Sequence, residues 1–249
     1  MKIAFIDSGI GGLSVVKKAY EKKGGEFIYY ADSDYMPYGA LTERVLSDHI
    51  AKVVQKLAVD GAGVIVLACN TATAVCIDAL REKFRDLVFV GTEPAVKPAL
   101  CFDGDVLVLA TPLTLAQKRF SRLLVSDKAK AFYTPDCSRL AYLVERDFPY
   151  LEKAERELDK IIAPYLCRDI GSVVIGCTHY AYLEEYIKRR YAFNVVSGAG
   201  GVVRQLYKVA PEECFGNEKL LFVRSGDEKE QKLLEERARL ICGVVVAPL

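Results

Sequence analysis

Cys69 and Cys177 stand at matching places in two similar stretches of the chain. Cys69 closes the run Val64-Ile65-Val66-Leu67-Ala68 and is followed by Asn70-Thr71, while Cys177 closes Val173-Val174-Ile175-Gly176 and is followed by Thr178-His179. In each case a β-branched apolar run stops where small polar residues begin. That pattern reads as the carboxyl end of a parallel strand, where α/β sheets bind ligands. A thiol there also lies beside the N-terminus of the next helix, whose exposed N–H groups and dipole favour the thiolate. Proton-transfer groups work best with a pKa near the operating pH. Two such thiols facing one substrate across a cleft would place a proton-transfer group on each of its faces. His179 is one of only two histidines and lies two residues from Cys177. It can donate to or accept from a substrate. His49 falls inside a helical pattern and reads as incidental. A zinc site built from Cys69, Cys177 and His179 is disfavoured, because the usual ligand spacing is absent.

The elements that must position these thiols alternate along the chain. Strands are predicted at 2–6, 26–31, 63–68, 87–91, 105–110, 130–134, 172–176, 193–196, 219–223 and 243–246. Helices are predicted at 12–23, 42–60, 72–84, 114–125, 138–147, 151–166, 180–190, 200–208 and 227–241. The segment 151–166 sets Leu151, Ala154, Leu158, Ile161, Ile162 and Leu166 on one face. Such alternation predicts an α/β fold with a mostly parallel sheet flanked by helices. A coarse duplication runs through it. A strand ends at Asp7-Ser8-Gly9 and another at Cys69, 62 residues on; a strand ends before Thr111-Pro112-Leu113-Thr114 and another at Cys177, 66 residues after Thr111. Two similar parallel-sheet domains related by a pseudo-twofold axis are therefore expected, with the active site in the cleft between them. The expected division is 1–93 plus 206–249, carrying Asp7 and Cys69, and 94–205, carrying Glu145, Cys177 and His179.

Composition narrows the function classes. The chain has 249 residues, 51% of them hydrophobic, and a formal net charge of +1 from 34 basic and 33 acidic residues. That supports a sizeable core, with no basic stripe to suggest nucleic-acid binding. No apolar run approaches the roughly 18 residues that span a bilayer. The start Met1-Lys2-Ile3-Ala4-Phe5-Ile6-Asp7 turns acidic too soon for a signal peptide, so a cytoplasmic protein without membrane association is expected. The eight cysteines are spread over the chain without a Cys-x-x-Cys pair. They read as free thiols, and those at 76, 101, 137, 167, 214 and 242 as core filler or incidental.

Two loops complete the candidate site. Asp7-Ser8-Gly9-Ile10-Gly11-Gly12-Leu13-Ser14 nearly matches a dinucleotide fingerprint, with Ser14 in place of the last glycine and Asp32 in the ribose-binding position. Asp7 would repel a pyrophosphate, however, and a glycine-rich turn can equally bind an amino-acid carboxylate. The segment Ala31-Asp32-Ser33-Asp34-Tyr35-Met36-Pro37-Tyr38-Gly39 is a polar loop at a strand end and a candidate pocket wall.

Taken in order, Phe5-Ile6-Asp7-Ser8-Gly9-Ile10-Gly11-Gly12-Leu13, Ala31-Asp32 with Pro37-Tyr38-Gly39, Ala68-Cys69-Asn70-Thr71-Ala72, Glu93-Pro94 and Gly176-Cys177-Thr178-His179-Tyr180 resemble the bacterial glutamate racemases. The resemblance is collinear from residue 3 to about 190. It implies a cofactor-independent, metal-free enzyme that interconverts L- and D-glutamate for peptidoglycan synthesis and forms a homodimer. It implies Cys69 and Cys177 as the acid/base thiols, supported by Asp7 and by His179 respectively. It implies Asp7, Ser8, Tyr38, Gly39, Asn70, Thr71, Thr178 and His179 as the residues that hold substrate. Glu145, at the end of Asp136-Cys137-Ser138-Arg139-Leu140-Ala141-Tyr142-Leu143-Val144-Glu145, is implied as an assistant to the second thiol, although Ser138 stands where the family usually has proline. Val195-Val196-Ser197-Gly198 departs from the family's late Asp-Ser. An aspartate racemase, a binding module without chemistry and an NAD-dependent dehydrogenase are the competing readings.

Overall fold

In the computed structural model, which describes residues 1–124, 130–216, 219–225 and 227–243, the β-branched runs form two all-parallel sheets. Among the described residues the strands are β1 (Lys2–Asp7), β2 (Glu26–Ala31), β3 (Ala62–Leu67), β4 (Val88–Gly91), β5 (Asp105–Ala110), β6 (Phe132–Tyr133), β7 (Ile170–Gly176), β8 (Asn194–Ser197) and β9 (Lys219–Arg224). The helices are α1 (Leu13–Lys22), α2 (Glu43–Val59), α3 (Asn70–Lys83), α4 (Val96–Ala99), α5 (Pro112–Leu115), α6 (Lys118–Leu124), α7 (Leu140–Asp147), α8 (Glu152–Ile162), α9 (Glu184–Arg190), α10 (Ala199–Val209) and α11 (Glu228–Cys242).

The chain divides into two compact units, Met1–Thr92 with Ala199–Leu249, and Glu93–Gly198. The first has strand order β4-β3-β1-β2-β9 and the second β6-β5-β7-β8. Read from the other edge, the second sheet is β8-β7-β5-β6. It repeats β4-β3-β1-β2 strand for strand, and β9 is an addition to the first sheet. The repeat extends to a local irregularity. Between β1 and β3 the register skips Gly63, pairing Lys2 with Ala62 and Ile3 with Val64. Between β5 and β7 it skips Gly171, pairing Asp105 with Ile170 and Val106 with Ser172. A glycine therefore sits at the same bulge in both sheets. At Gly171 a Cβ would lie 1.5 Å from the Asp103 carbonyl oxygen, so no larger residue fits.

Parallel strands buried on both faces read as unbroken apolar runs, and the second sheet shows how the two faces are used. Leu107, Leu109, Val173 and Ile175 pack on one side with Val144 of α7 and Leu158 of α8. Val106, Val108, Ala110 and Val174 pack on the other with Val96 of α4 and Phe120 of α6. The period-2 alternation of each strand thus feeds two separate cores.

Several expected boundaries move. The return to the first unit comes at Ala199 rather than 206, because 206 falls inside α10, a helix that packs on α1 and β4. The helix expected over 151–166 stops at Ile162. Pro164 has no N–H to continue it, the chain goes on as a 3-10 turn over Ala163–Tyr165, and Leu166 is 55% exposed. The helix expected over 114–125 is broken into α5 and α6. Gly243 ends α11 in the left-handed conformation at φ 66; the rest of the strand expected at 243–246 lies outside the described residues. No helix among the described residues is long and apolar enough to cross a membrane.

Candidate active site

In each unit the strand order reverses between the first strand and its thiol-bearing neighbour, β1 beside β3 and β5 beside β7. Ligand crevices of open α/β sheets form at such switch points, outside the carboxyl ends of the strands. The first pair ends at Asp7 and Cys69, the second at Thr111 and Cys177.

In the first unit Asp7 is fully buried, and its Oδ1 accepts the Gly9 N–H at 3.2 Å. The Tyr29 hydroxyl donates to the Gly9 carbonyl at 2.5 Å. The turn needs glycine at position 12, where a Cβ would lie 2.7 Å from that of Asp7 and 2.9 Å from the Tyr29 hydroxyl. Close approach of strand and helix therefore accounts for a glycine at a position that the dinucleotide fingerprint leaves open. Cys69, 6% exposed, is the N-cap residue of α3. Asn70 and Thr71 form the buried first turn of that helix, and Asn70 Oδ1 has no hydrogen-bond partner among the described residues. The loop is fixed from below: the Thr73 and Thr92 hydroxyls both donate to the Leu67 carbonyl, at 3.1 and 2.9 Å.

The wall at 31–39 is held by Asp32. Its fully buried Oδ2 accepts the Tyr38 hydroxyl at 2.6 Å and lies 2.6 Å from His49 Nε2. His49 is stacked on Tyr35, with ring centroids 3.6 Å apart. It lies in α2 as expected, but it is not incidental, since it ties that helix to the wall. Burial, the charge of Asp32 and then the charges of Cys69 and Asp7 hold the Tyr38 phenol well above its ordinary pKa. Tyr38, Asp7, Asp32 and Cys69 therefore share one electrostatic environment. Ser8 is buried here, and Gly39 is half-buried in the 3-10 turn Tyr38–Ala40.

In the second unit Cys177, also 6% exposed, precedes a 3-10 turn over Thr178–Leu183, and α9 begins only at Glu184. This corrects the helix expected from 180. The two thiols therefore differ locally: Cys69 caps a 14-residue α-helix, and Cys177 caps a six-residue turn. What the second thiol has instead is a chain of side chains. His179 is hydrogen-bonded to Cys177, and its Nε2 lies 2.8 Å from Glu145 Oε2 of α7. Burial would strip the imidazole of its proton. The hydrogen bonds to Cys177 and Glu145 outweigh burial and hold the His179 pKa well above 6.5. Glu145 thus reaches Cys177 through His179. Thr178 is buried beside them, and Thr111 and Thr114 join hydroxyls at 2.9 Å at the end of β5.

Sequence reasoning did not single out Thr114, Tyr180 or the neighbour thiol Cys137. Tyr180 is fully buried and donates to the Cys137 carbonyl at 2.9 Å. Burial, then the charge of Cys177, pushes the Cys137 thiol up to about 12, so Cys137 stays neutral, in keeping with a core role. Among the described residues no group of three or more His, Cys, Asp or Glu is arranged to hold a metal ion.

The two parallel α/β units each carry a thiol at the switch point, and sequence relationships give the class of protein. The Asp/Glu/Hydantoin racemase family profile matches residues 22–206. The chain belongs to this family and is an enzyme of the amino-acid racemase class. Within the family it is similar to proteins named glutamate racemase. It is 34% identical to that of Clostridium perfringens strain SM101, over 96% of this chain and 95% of that protein. It is 36% identical to that of Halothermothrix orenii, over 94% and 96%. The crystal structure of Escherichia coli glutamate racemase, in complex with L-glutamate and an activator, superposes with a TM-score of 0.85 at 25% identity, covering 96% of this chain and 95% of that one.

Proposed function

We propose that this enzyme interconverts L- and D-glutamate without a cofactor, with Cys69 and Cys177 as its two acid/base groups. The observation that carries the reading is the pair of thiols at equivalent strand ends of two units with the same strand order. The relatives named glutamate racemase supply the substrate. In one direction one thiolate removes the α-proton and the other thiol protonates the opposite face of the planar intermediate; the roles reverse for the other enantiomer. Each turnover leaves the base protonated and the acid deprotonated, which is the resting arrangement for the reverse reaction.

The negative charge that develops on the substrate carboxylate needs fixed donors. Ser8, Asn70, Thr71 and Thr178 offer hydroxyls, an amide and backbone N–H groups for it, and Tyr38-Gly39 forms the adjoining wall. Asp7 serves Cys69, and the Glu145–His179 pair serves Cys177. His179, whose hydrogen bonds to Cys177 and Glu145 favour its protonated form against burial, is a donor for the substrate or for the sulfur. We assign the D-glutamate formed to peptidoglycan synthesis and the enzyme to the cytoplasm. All eight cysteines are free, which suits a reducing compartment.

Chiral chromatography after incubation with either enantiomer of glutamate and of aspartate, with no added cofactor, tests the reading. Glutamate is expected to racemise and aspartate to remain unchanged, and Cys69→Ala and Cys177→Ala enzymes to turn over neither enantiomer. Undiminished racemisation by either variant would sink the two-thiol scheme.

A further inference from the structure

We infer that Tyr180 is a positioning residue for Cys177, its hydroxyl a two-way rotor that hydrogen-bonds the sulfur in both protonation states. The inference rests on the reading of Cys177 as an acid/base group. The Tyr180 side chain has no solvent exposure and shares one apolar cluster with Cys137 and Cys177. Its backbone N–H donates to the Cys177 carbonyl at 3.1 Å, which fixes the ring beside the thiol. Its hydroxyl donates to the Cys137 carbonyl at 2.9 Å and is also hydrogen-bonded to the Cys177 side chain.

A phenol has one proton to give and lone pairs to accept with. When Cys177 is a thiol, its S–H donates to the Tyr180 oxygen and the phenol proton rests on the Cys137 carbonyl. When Cys177 is a thiolate, the phenol O–H turns to the sulfur and releases that carbonyl. The charge-assisted bond gained is about twice as strong as the neutral one released. The phenol proton never leaves its oxygen. Burial, then the charge of Cys177, keeps Tyr180 from ionising, so it acts as a donor and not as a second base. A sulfur that must be acid in one direction and base in the other needs a neighbour of this kind. The other ionisable groups around Cys177 and Tyr180 are His179 with Glu145, Cys137, which stays neutral, and Asp136. None of these is altered by deleting the phenol oxygen.

Tyr180→Phe removes that oxygen and keeps the ring. Iodoacetamide labelling of Cys177, followed by peptide mass spectrometry across pH, is expected to reach half its maximal rate about one pH unit higher than in the wild type. On the acid limb of the profile, where the thiol is mostly protonated, it should be about tenfold slower, since the thiolate is the nucleophile. Because a racemase equilibrium constant is one, kcat/KM should fall by the same factor for L- and D-glutamate, through kcat and not KM. Incorporation of 3-fluorotyrosine at position 180, which keeps the hydroxyl, should restore labelling on that limb. A Tyr180→Phe profile that overlays the wild type would overturn the rotor and leave Tyr180 a cap for the Cys137 carbonyl. If the Phe variant does not fold, the fluorinated enzyme decides alone. Its more acidic phenol should shift labelling to lower pH, and an unshifted profile overturns the proposal. Labelling needs no turnover, so it stands apart from the fate of the racemase reading, which racemisation by Cys177→Ala would refute on its own.

Discussion

Glu145 Oε2 lies 2.8 Å from His179 Nε2, with the two residues 8% and 2% exposed. A carboxylate this buried is costly unless it is paired, and the His179 imidazole is a partner. The pairing has a pH signature. The folded His179 pKa lies above the ordinary imidazole value of 6.5. Its contribution to stability is therefore complete below about pH 6.5 and is lost as pH rises through the higher folded value. An imidazole titration followed by NMR should show no midpoint near 6.5. The stability advantage of the wild type over His179→Gln should be largest on the acid side of 6.5 and shrink above the folded midpoint. A midpoint at or below 6.5 would refute the pairing.

Glu145→Gln keeps the shape of the side chain and removes its charge. Hydrogen bonds to charged groups contribute about 1.5–3 kcal/mol. The expected loss in kcat/KM is then about tenfold to a hundredfold, with the His179 titration midpoint displaced downward. Steady-state kinetics together with the NMR titration check both halves.

His49 ties α2 to the Asp32 wall at 2.6 Å, and the Asp32 side chain it meets has no solvent exposure. His49→Leu deletes a hydrogen bond to a buried carboxylate. It should cost about 1.5–3 kcal/mol in urea unfolding, while His49→Gln, which can still donate, should recover part of that loss.

The two bulge glycines make an internal control. Gly171→Ala meets the Asp103 carbonyl, part of the backbone, and should destabilise by about 1–3 kcal/mol or more. At Gly63 the three atoms nearest a Cβ all belong to the Met1 side chain, whose sulfur lies 2.1 Å away and can swing aside. Gly63→Ala should stay within about 0.5 kcal/mol. Thermal unfolding of both variants reads the contrast.

The fold was legible where local pattern decides it. Continuous apolar runs such as Val64–Leu67 and Val173–Ile175 located β3 and β7, and the polar residues that follow located the thiols. What depended on distant partners was not legible. Helical periodicity places His49 in α2 but cannot show that it reaches Asp32, 17 residues back. Nor could it reveal the Tyr180 contact with Cys137, 43 residues away. The 3-10 turn after Cys177 escaped for a different reason: no proline or glycine marks it, and its residues suit a helix equally well. Glu145 was placed near the second thiol by resemblance alone, and the intermediary role of His179 emerged only in three dimensions.

Deuterium wash-in tests the two-base chemistry most directly. With L-glutamate in deuterated water and no added cofactor, the earliest D-glutamate should carry one α-deuterium, because the thiol that protonates the new face has exchanged with solvent. The unreacted L-glutamate should still carry protium, because its face is served by the other sulfur. D-glutamate that retains the original α-proton, or deuterium that enters the substrate as fast as the product, would contradict a separate thiol for each face.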